Sequence, residues 1–379
     1  MRIVHLNSCS VYSGPLPSTV GLALAQRRQG HEVYLYWDRK HDGFSRYEES
    51  AGVPLRWAGL DDPKQPLTLS SKSTALELIR DWWRLRAMLR AGAFDVVHLH
   101  RSHEHVLAAL AAWGLRPRRR PRSSLYVRTF HSEQALEKRL ARGWFSRQAD
   151  RWITRCEDHH RMAVLHFGLP PGQVRTISGG IDTAAFGDMQ TACPKRAKAH
   201  FGFPEDAFVL VHVALMAGRG HEEVLRAMTL LGDAAPWLLW AGRGVREQRL
   251  REQVARAPRH IQDKVRFAGY LAGKELLEAY AAADAAFVAK PGKDASSRAA
   301  LEAMACGLPL IVVRVGALNE LPHTYPIHER SPEAIADAVR SLMDDREAAR
   351  TRGRLAQSWV LQERSFAHEA EQTLQFYAQ

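Results

Sequence analysis

Long apolar runs are missing from the 379 residues of this chain. No stretch approaches the roughly 18 to 20 uncharged apolar residues that a membrane span needs. The opening Met1-Arg2-Ile3-Val4-His5-Leu6 reads as a first strand rather than as a signal peptide, so the expected address is the cytoplasm. Cysteine is scarce as well. Cys9, Cys156, Cys193 and Cys306 are scattered without metal-ligand spacing, which suits a reducing compartment and predicts no disulfide. Low-complexity sequence is confined to one short cationic run, Arg116-Pro-Arg118-Arg119-Arg120-Pro-Arg122. No recognisable nucleic-acid module accompanies that run and no aromatic platform is interleaved with it, so nucleic-acid binding has only the charge behind it.

What is there is globular: 46% hydrophobic and 25% charged residues, in a length that fits two domains of ordinary size. The net charge of +12 is unevenly spread. Residues 1–185 hold 28 Lys and Arg against 17 Asp and Glu, whereas the rest holds 25 against 24. A field of that sign concentrates anionic partners, here acidic lipid or a phosphorylated glycan.

Strand Ile3 to Leu6, helix Thr19 to Gln29 and strand Val33 to Trp37 form a βαβ opening, which predicts a doubly wound parallel sheet. Further strands are predicted at Phe94 to His100, Leu125 to Thr129, Ala149 to Ile153, Val174 to Ile177, Phe208 to Ala214, Trp237 to Trp240, Val265 to Gly269, Ala285 to Ala289 and Ile311 to Val315. The helix from Thr74 to Arg90 sets Leu76, Ile79, Trp82, Trp83, Leu85 and Leu89 among Arg80, Arg84, Arg86 and Arg90. That pattern fits an acidic membrane surface and equally an ordinary sheet-covering helix. His98, His100, His103 and His105 cluster, but their spacing is no known ligand pattern and no set of carboxylates joins them, so no metal is expected.

The stretch from Asp284 to Gly307 carries the chemistry. An apolar strand leads through a Pro-Gly loop bearing Lys290, Lys293 and Asp294 into a helix capped by Ser296 or Ser297 and closed by Gly307. A helix that starts just after a strand offers free N–H groups and a positive dipole end, a natural seat for phosphate. Glu302 leans toward that end and Asp294 reaches in from the loop; two carboxylates there suit hydroxyl groups, for example on a ribose and a sugar.

Asp294 and Glu302, separated by seven residues and followed by Ala303-Met304-Ala305-Cys306-Gly307-Leu308-Pro309 and a strand, resemble the signature of the family-4 glycosyltransferases. That resemblance implies retaining enzymes of the GT-B fold, an α/β architecture of two doubly wound, Rossmann-like parallel-sheet domains facing a cleft. Gly30-His31-Glu32-Val33, the strand end Asp95-Val96-Val97-His98-Leu99-His100, Phe130-His131-Ser132 and Gly242-Arg243-Gly244 are similar to family segments in the same order. By this resemblance Arg219, Gly220, Lys290, Lys293 and the Ser296-Ser297 helix end would hold the donor diphosphate, and Gly14 would let the backbone approach closely. Glu302 would hold the ribose, Asp294 the donor sugar, and His131 would stand beside the reacting sugar. The donor is expected to be a nucleoside diphosphate sugar, with no metal and no other cofactor. The acceptor is expected to be an anionic or lipid-linked cell-surface glycan, met at the inner face of the cytoplasmic membrane.

Residues 1–185 would form the acceptor domain and 200–362 the nucleotide-sugar domain, with a linker from Thr183 to Ala199 and a terminal helix in 363–379 crossing back. Asp294 stands where the family has Glu, Ala295-Ser296-Ser297 where it has Gly-Phe-Gly, Ser13-Gly14 where it has two glycines, and the first of two diphosphate-clamping cations is absent before Arg219. These departures leave a second reading open, a non-catalytic relative that binds a glycan or a nucleotide sugar.

Overall fold

A computed structural model of the chain describes residues 1–9, 15–38, 67–70, 72–91, 94–113, 124–137, 147–187, 193–289 and 298–379. The described residues form two compact units, one of Met1–Ile181 with Phe366–Gln379 and one of Asp182–Ser365. The first unit holds β1 (Arg2–Asn7), β2 (Glu32–Trp37), β3 (Val96–Leu99), β4 (Leu125–Thr129), β5 (Arg151–Thr154) and β6 (Val174–Thr176). The second holds β7 (Val209–Val213), β8 (Trp237–Ala241), β9 (Val265–Gly269), β10 (Ala285–Val288), β11 (Leu310–Val313) and β12 (Tyr325–Ile327). Each unit has one six-stranded parallel sheet, ordered β2-β1-β3-β4-β5-β6 and β12-β11-β10-β7-β8-β9. The second is the Rossmann strand order, and both are the doubly wound sheets expected.

The sequence dictates this class because β1, β3, β7, β10 and β11 are near-continuous runs of Val, Ile, Leu, Phe and Ala that helices cover on both faces. In such sheets ligands approach the carboxyl ends of the strands where the order reverses. Those points lie between β1 and β3 in the first unit and between β7 and β10 in the second.

The segment expected as a linker, Thr183 to Ala199, instead carries the short helices Thr183–Gly187 and Pro194–His200 of the second unit. Lys198 explains why that segment is anchored. Its buried ammonium reaches Asp284 Oδ2 at 2.9 Å and donates to Ala207 O at 2.6 Å, while Val209 N donates to the same Asp284 oxygen at 3.0 Å. Asp284 therefore fixes the start of two neighbouring strands.

The terminal helix Phe366–Ala378 belongs to the first unit, where it packs on the Pro15–Arg28 helix. A Cβ on Gly21 would stand 2.2 Å from Phe366 Cζ, so the two helices meet where only glycine fits. Arg155 and Glu369 pin the contact at 2.5 Å with side chains 2% and 1% exposed. The second Glu369 oxygen accepts from Gly180 N at 2.7 Å, and Arg155 donates also to Ile177 O. Removing one partner of such a pair leaves a buried charge uncompensated, which costs about 3 to 5 kcal/mol. Glu369→Ala should lower the urea stability of the first unit by that amount, and a loss below about 1 kcal/mol would contradict the role given to the pair.

Candidate active site

In the second unit the site is built on glycine. The loop after β7 turns through Gly218 (φ +78°) and Gly220 (φ +96°) into the helix His221–Leu231. A Cβ on Gly220 would lie 3.0 Å from Phe287 Cε1 and 3.1 Å from Ala289 Cβ, so the loop can press on the end of β10 only without a side chain. The loop after β8 comes closer still. A Cβ on Gly242 would stand 2.0 Å from Ala214 O, and one on Gly244 2.4 Å from Met216 O. Hydrogen bonds from Met216 N to Arg243 O and from Arg246 N to Met216 O, both 2.9 Å, close the two loops against each other. Gly220 has no side chain to occupy the first N–H groups of the His221–Leu231 helix, so a positive helix end is presented at the switch point.

Arginines surround this end. Arg219 is partly buried beside it. Arg246 lies against Gly218, 3.2 Å from where a Cβ would be, and Arg330 donates to Gly218 O at 3.2 Å while pairing with Glu223 at 2.9 Å. Arg246 and Arg330 were not legible as site residues, because they come from distant segments with no spacing to betray them. Below them, His212 and His221 stack with ring centroids 4.3 Å apart. Burial, then the Arg219 charge, pushes the His221 imidazole down to about 4.

Glu302, on the helix Arg298–Ala305, is 5% exposed. It accepts from the Tyr280 hydroxyl at 3.2 Å and pairs with Arg298 Nε at 3.0 Å. Burial, then the Glu302 charge, holds the Tyr280 hydroxyl well above its ordinary value, so it stays a donor to the carboxylate. Gly14, Lys290, Lys293, Asp294, Ser296 and Ser297 lie outside the described residues, as does the Arg116 to Arg122 run.

In the first unit the alternation of side chains along parallel strands puts His5 of β1, His98 and His100 at the end of β3, and Thr129 and His131 at the end of β4 on one sheet face. His5 Nδ1 meets His100 Nε2 at 2.9 Å, and His100 Nδ1 meets His131 Nε2 at 3.0 Å. His5 Nε2 lies 2.7 Å from Gln26 Oε1, and His98 is held by Tyr377 OH and Thr129 Oγ1, each at 2.6 Å. The histidine cluster read from the sequence is thus regrouped. His98 and His100 join His5 and His131, while His103 and His105 sit on the helix Ser102–Ala112. Ring nitrogens of His5, His98 and His100 lie within 4.8 Å of one another, close enough to hold a metal ion. All six of those nitrogens are already engaged in the hydrogen bonds above, so a metal would have to break them.

The helix Ala75–Arg90 is capped by a Thr74–Glu77 box. Its inward face buries Leu85 and Met88 in the core of the first unit, as a sheet-covering helix does, but that face also carries a carboxylate and the outer face carries apolar side chains. Asp81 is buried and accepts from Thr68 N and Leu69 N at 2.9 and 2.8 Å, whereas Leu76, Ile79 and Trp83 are 80%, 54% and 58% exposed. With the Ser102–Ala112 helix it walls an apolar groove of about 910 Å³ lined by Leu78, Ile79, Trp82, Val106, Leu110 and Trp113. Among the described residues no helix is long and apolar enough to cross a membrane.

Burial, opposed by the Gln26 hydrogen bond, lowers His5 to about 4, against 6.5 for the free imidazole. Burial, then neighbouring cations and histidines, also depresses His98, His100 and His131. Above about pH 6.5 neither the folded nor the unfolded chain protonates His5. Between 6.5 and 4 the unfolded chain binds the proton first, so stability is lost as pH falls through that window. His5 alone should cost on the order of 2 kcal/mol at pH 5. Urea midpoints measured from pH 7.5 to 4.5 should fall steeply below 6.5, and a flat profile would contradict the buried neutral assignment.

Residues 17–185 match the family profile Glycosyltransferase Family 4, and residues 207–345 match Glycosyl transferases group 1. Among curated relatives, the D-inositol 3-phosphate glycosyltransferase of Geodermatophilus obscurus is 28% identical over 351 residues, covering 79% of this chain and 70% of that enzyme. The enzyme of the same name from Corynebacterium glutamicum is 24% identical, covering 77% of this chain and 66% of its own length. Among solved structures, HepE of Anabaena in complex with UDP superposes with a TM-score of 0.78 at 15% identity, over 100% of both chains. Profile matches to both halves and a shared two-sheet fold agree: the chain belongs to the family-4 glycosyltransferases of the GT-B fold.

Proposed function

We propose that the protein transfers a sugar from a nucleoside diphosphate sugar to a hydroxyl of an anionic acceptor, with retention of configuration and without a metal. The observation that carries this reading is the glycine-built end of the His221–Leu231 helix at the β7/β10 switch point, ringed by Arg219, Arg246 and Arg330. Backbone N–H groups and guanidinium groups stabilise a departing diphosphate, which is the work a metal would otherwise do. On the same reading Lys290, Lys293 and the Ser296-Ser297 pair would also contact the diphosphate, and Gly14 would let the backbone approach a bound substrate closely. Buried Glu302, held by Tyr280 and Arg298, would accept from ribose hydroxyls, and Asp294 from the donor sugar. Complexes of HepE with UDP and with UDP-glucose support the same use of the fold.

The first unit would bind the acceptor. Its excess of cations suits phosphate, the group in the compound for which the D-inositol 3-phosphate glycosyltransferases are named. The exposed Leu76, Ile79 and Trp83, the groove beside them and the arginines of the same helix suit an acidic lipid surface, giving a peripheral site on the inner face of the cytoplasmic membrane.

Replacing Glu302 with Ala should weaken nucleoside and nucleotide-sugar binding alike, whereas Arg219→Ala should spare the nucleoside and weaken the diphosphate about tenfold or more. Titration calorimetry with uridine and other nucleosides beside their diphosphates separates the two, and equal losses for both ligands in Arg219→Ala would remove it from the cradle. For the acceptor side, co-sedimentation with phosphatidylglycerol vesicles should exceed that with neutral vesicles and fall with salt, since each basic residue near an acidic surface contributes about 1 kcal/mol. Equal pelleting with both vesicle types would remove the membrane contact and leave glycosyl transfer standing.

A further inference from the structure

We propose that Gln26, His5 and His100 form a relay of hydrogen bonds that holds His131 in its Nε2–H tautomer, so that His131 Nδ1 offers a lone pair to a hydroxyl of the bound sugar. The proposal rests on the reading of His131 as a sugar ligand and adds the means by which its hydrogen-bonding sense is set. A neutral imidazole has one donor and one acceptor nitrogen, so in an unbranched chain of imidazoles the direction of the first bond decides every other.

That first bond is decided at Gln26. The buried amide presents Oε1 to His5 Nε2 at 2.7 Å and Nε2 to the Tyr377 hydroxyl oxygen at 3.4 Å. The Tyr377 hydroxyl also meets His98 Nδ1 at 2.6 Å, and a hydroxyl that gives its proton to an imidazole lone pair keeps its oxygen free to accept from the amide. A carbonyl can only accept, so His5 carries its proton on Nε2. His5 Nδ1 must then accept, and His100 Nε2–H donates to it at 2.9 Å. By the same logic His100 Nδ1 accepts from His131 Nε2–H at 3.0 Å. His131 is the partly exposed end of this chain, whereas Gln26, His5 and His100 are at most 1% exposed. Among the described residues His131 Nδ1 takes no hydrogen bond.

Neutrality is the second requirement, because a protonated imidazole donates from both nitrogens and would break the single direction. Burial supplies it, keeping His5, His100 and His131 below their ordinary values. Reversing the Gln26 amide would reverse every donor and aim an N–H, rather than a lone pair, out of His131. Gln26, His5 and His100 are accordingly positioning residues, and none of them needs to touch a substrate.

Long-range proton–nitrogen correlation spectra of the full chain labelled with ¹⁵N-histidine report the tautomer directly, with His131 assigned by its loss in His131→Asn. The expected wild-type result at pH 7.5 is a protonated Nε2 and a pyridine-type Nδ1 on His131. The opposite tautomer, or an even mixture, would overturn the proposal. Gln26→Leu, which removes the deciding amide, should turn His131 into a mixture of tautomers and lower kcat/KM for transfer between about twofold and tenfold, with nucleotide affinity unchanged. A His131 tautomer unmoved by Gln26→Leu would also overturn it. A correct tautomer in a chain that transfers no sugar would leave the relay in place and remove the catalytic reading instead.

Discussion

The second unit depends on backbone touching backbone. With Gly242 and Gly244 set against the carbonyls of Ala214 and Met216, any side chain at either position would push the loops after β7 and β8 apart. Because these loops are locked together, the start of the His221–Leu231 helix has a fixed aim, and its positive end needs no reorganisation when an anion arrives. The arginines are arranged around this fixed point, several of them balanced by Glu222 and Glu223 of the same helix. The balance keeps the guanidinium groups ordered without abolishing the local excess of positive charge.

The first unit solves a different problem, that of burying polar groups. His5, His98 and His100 lie inside the fold on the sheet face that the first and terminal helices cover. Left unpaired, such groups would each cost a desolvation penalty of about 1 to 3 kcal/mol. They are tolerated because each ring nitrogen has a partner and because the terminal helix supplies Tyr377 as one of them. That helix reaches its place through Glu369 and Arg155, so an ion pair near one end of the helix secures a hydrogen-bond network near the other.

Much of this was legible in the residues. Runs such as Ile3 to Leu6, Leu125 to Thr129 and Val265 to Gly269 are rich in apolar and β-branched or aromatic residues, and they become strands within a residue of the expected ends. Other features depend on contacts far apart in the chain. Gln26 looks like a helix surface residue until Tyr377 and His5 are brought to it across 351 and 21 positions. The Ala75–Arg90 helix left two readings open because periodicity locates its stripes but not the one that faces inward. Leu85 and Met88 mark the inward stripe, buried in the core one and two turns after Asp81, whose carboxylate accepts from Thr68 N and Leu69 N. Arg246 and Arg330 escaped notice for the same reason, since only the fold carries them to Gly218.

The central claim is catalysis on a nucleotide sugar with retention, and the anomeric configuration of the first-formed product tests it most directly. The purified chain, freed of metal by a chelator, should be incubated with each nucleoside diphosphate sugar that binds it and with phosphorylated polyol acceptors, and followed by proton NMR from the first turnover. The account predicts release of the nucleoside diphosphate in step with a glycoside whose anomeric configuration matches that of the donor. An inverted product, or a donor that binds in the second unit and is neither transferred nor hydrolysed, would contradict it.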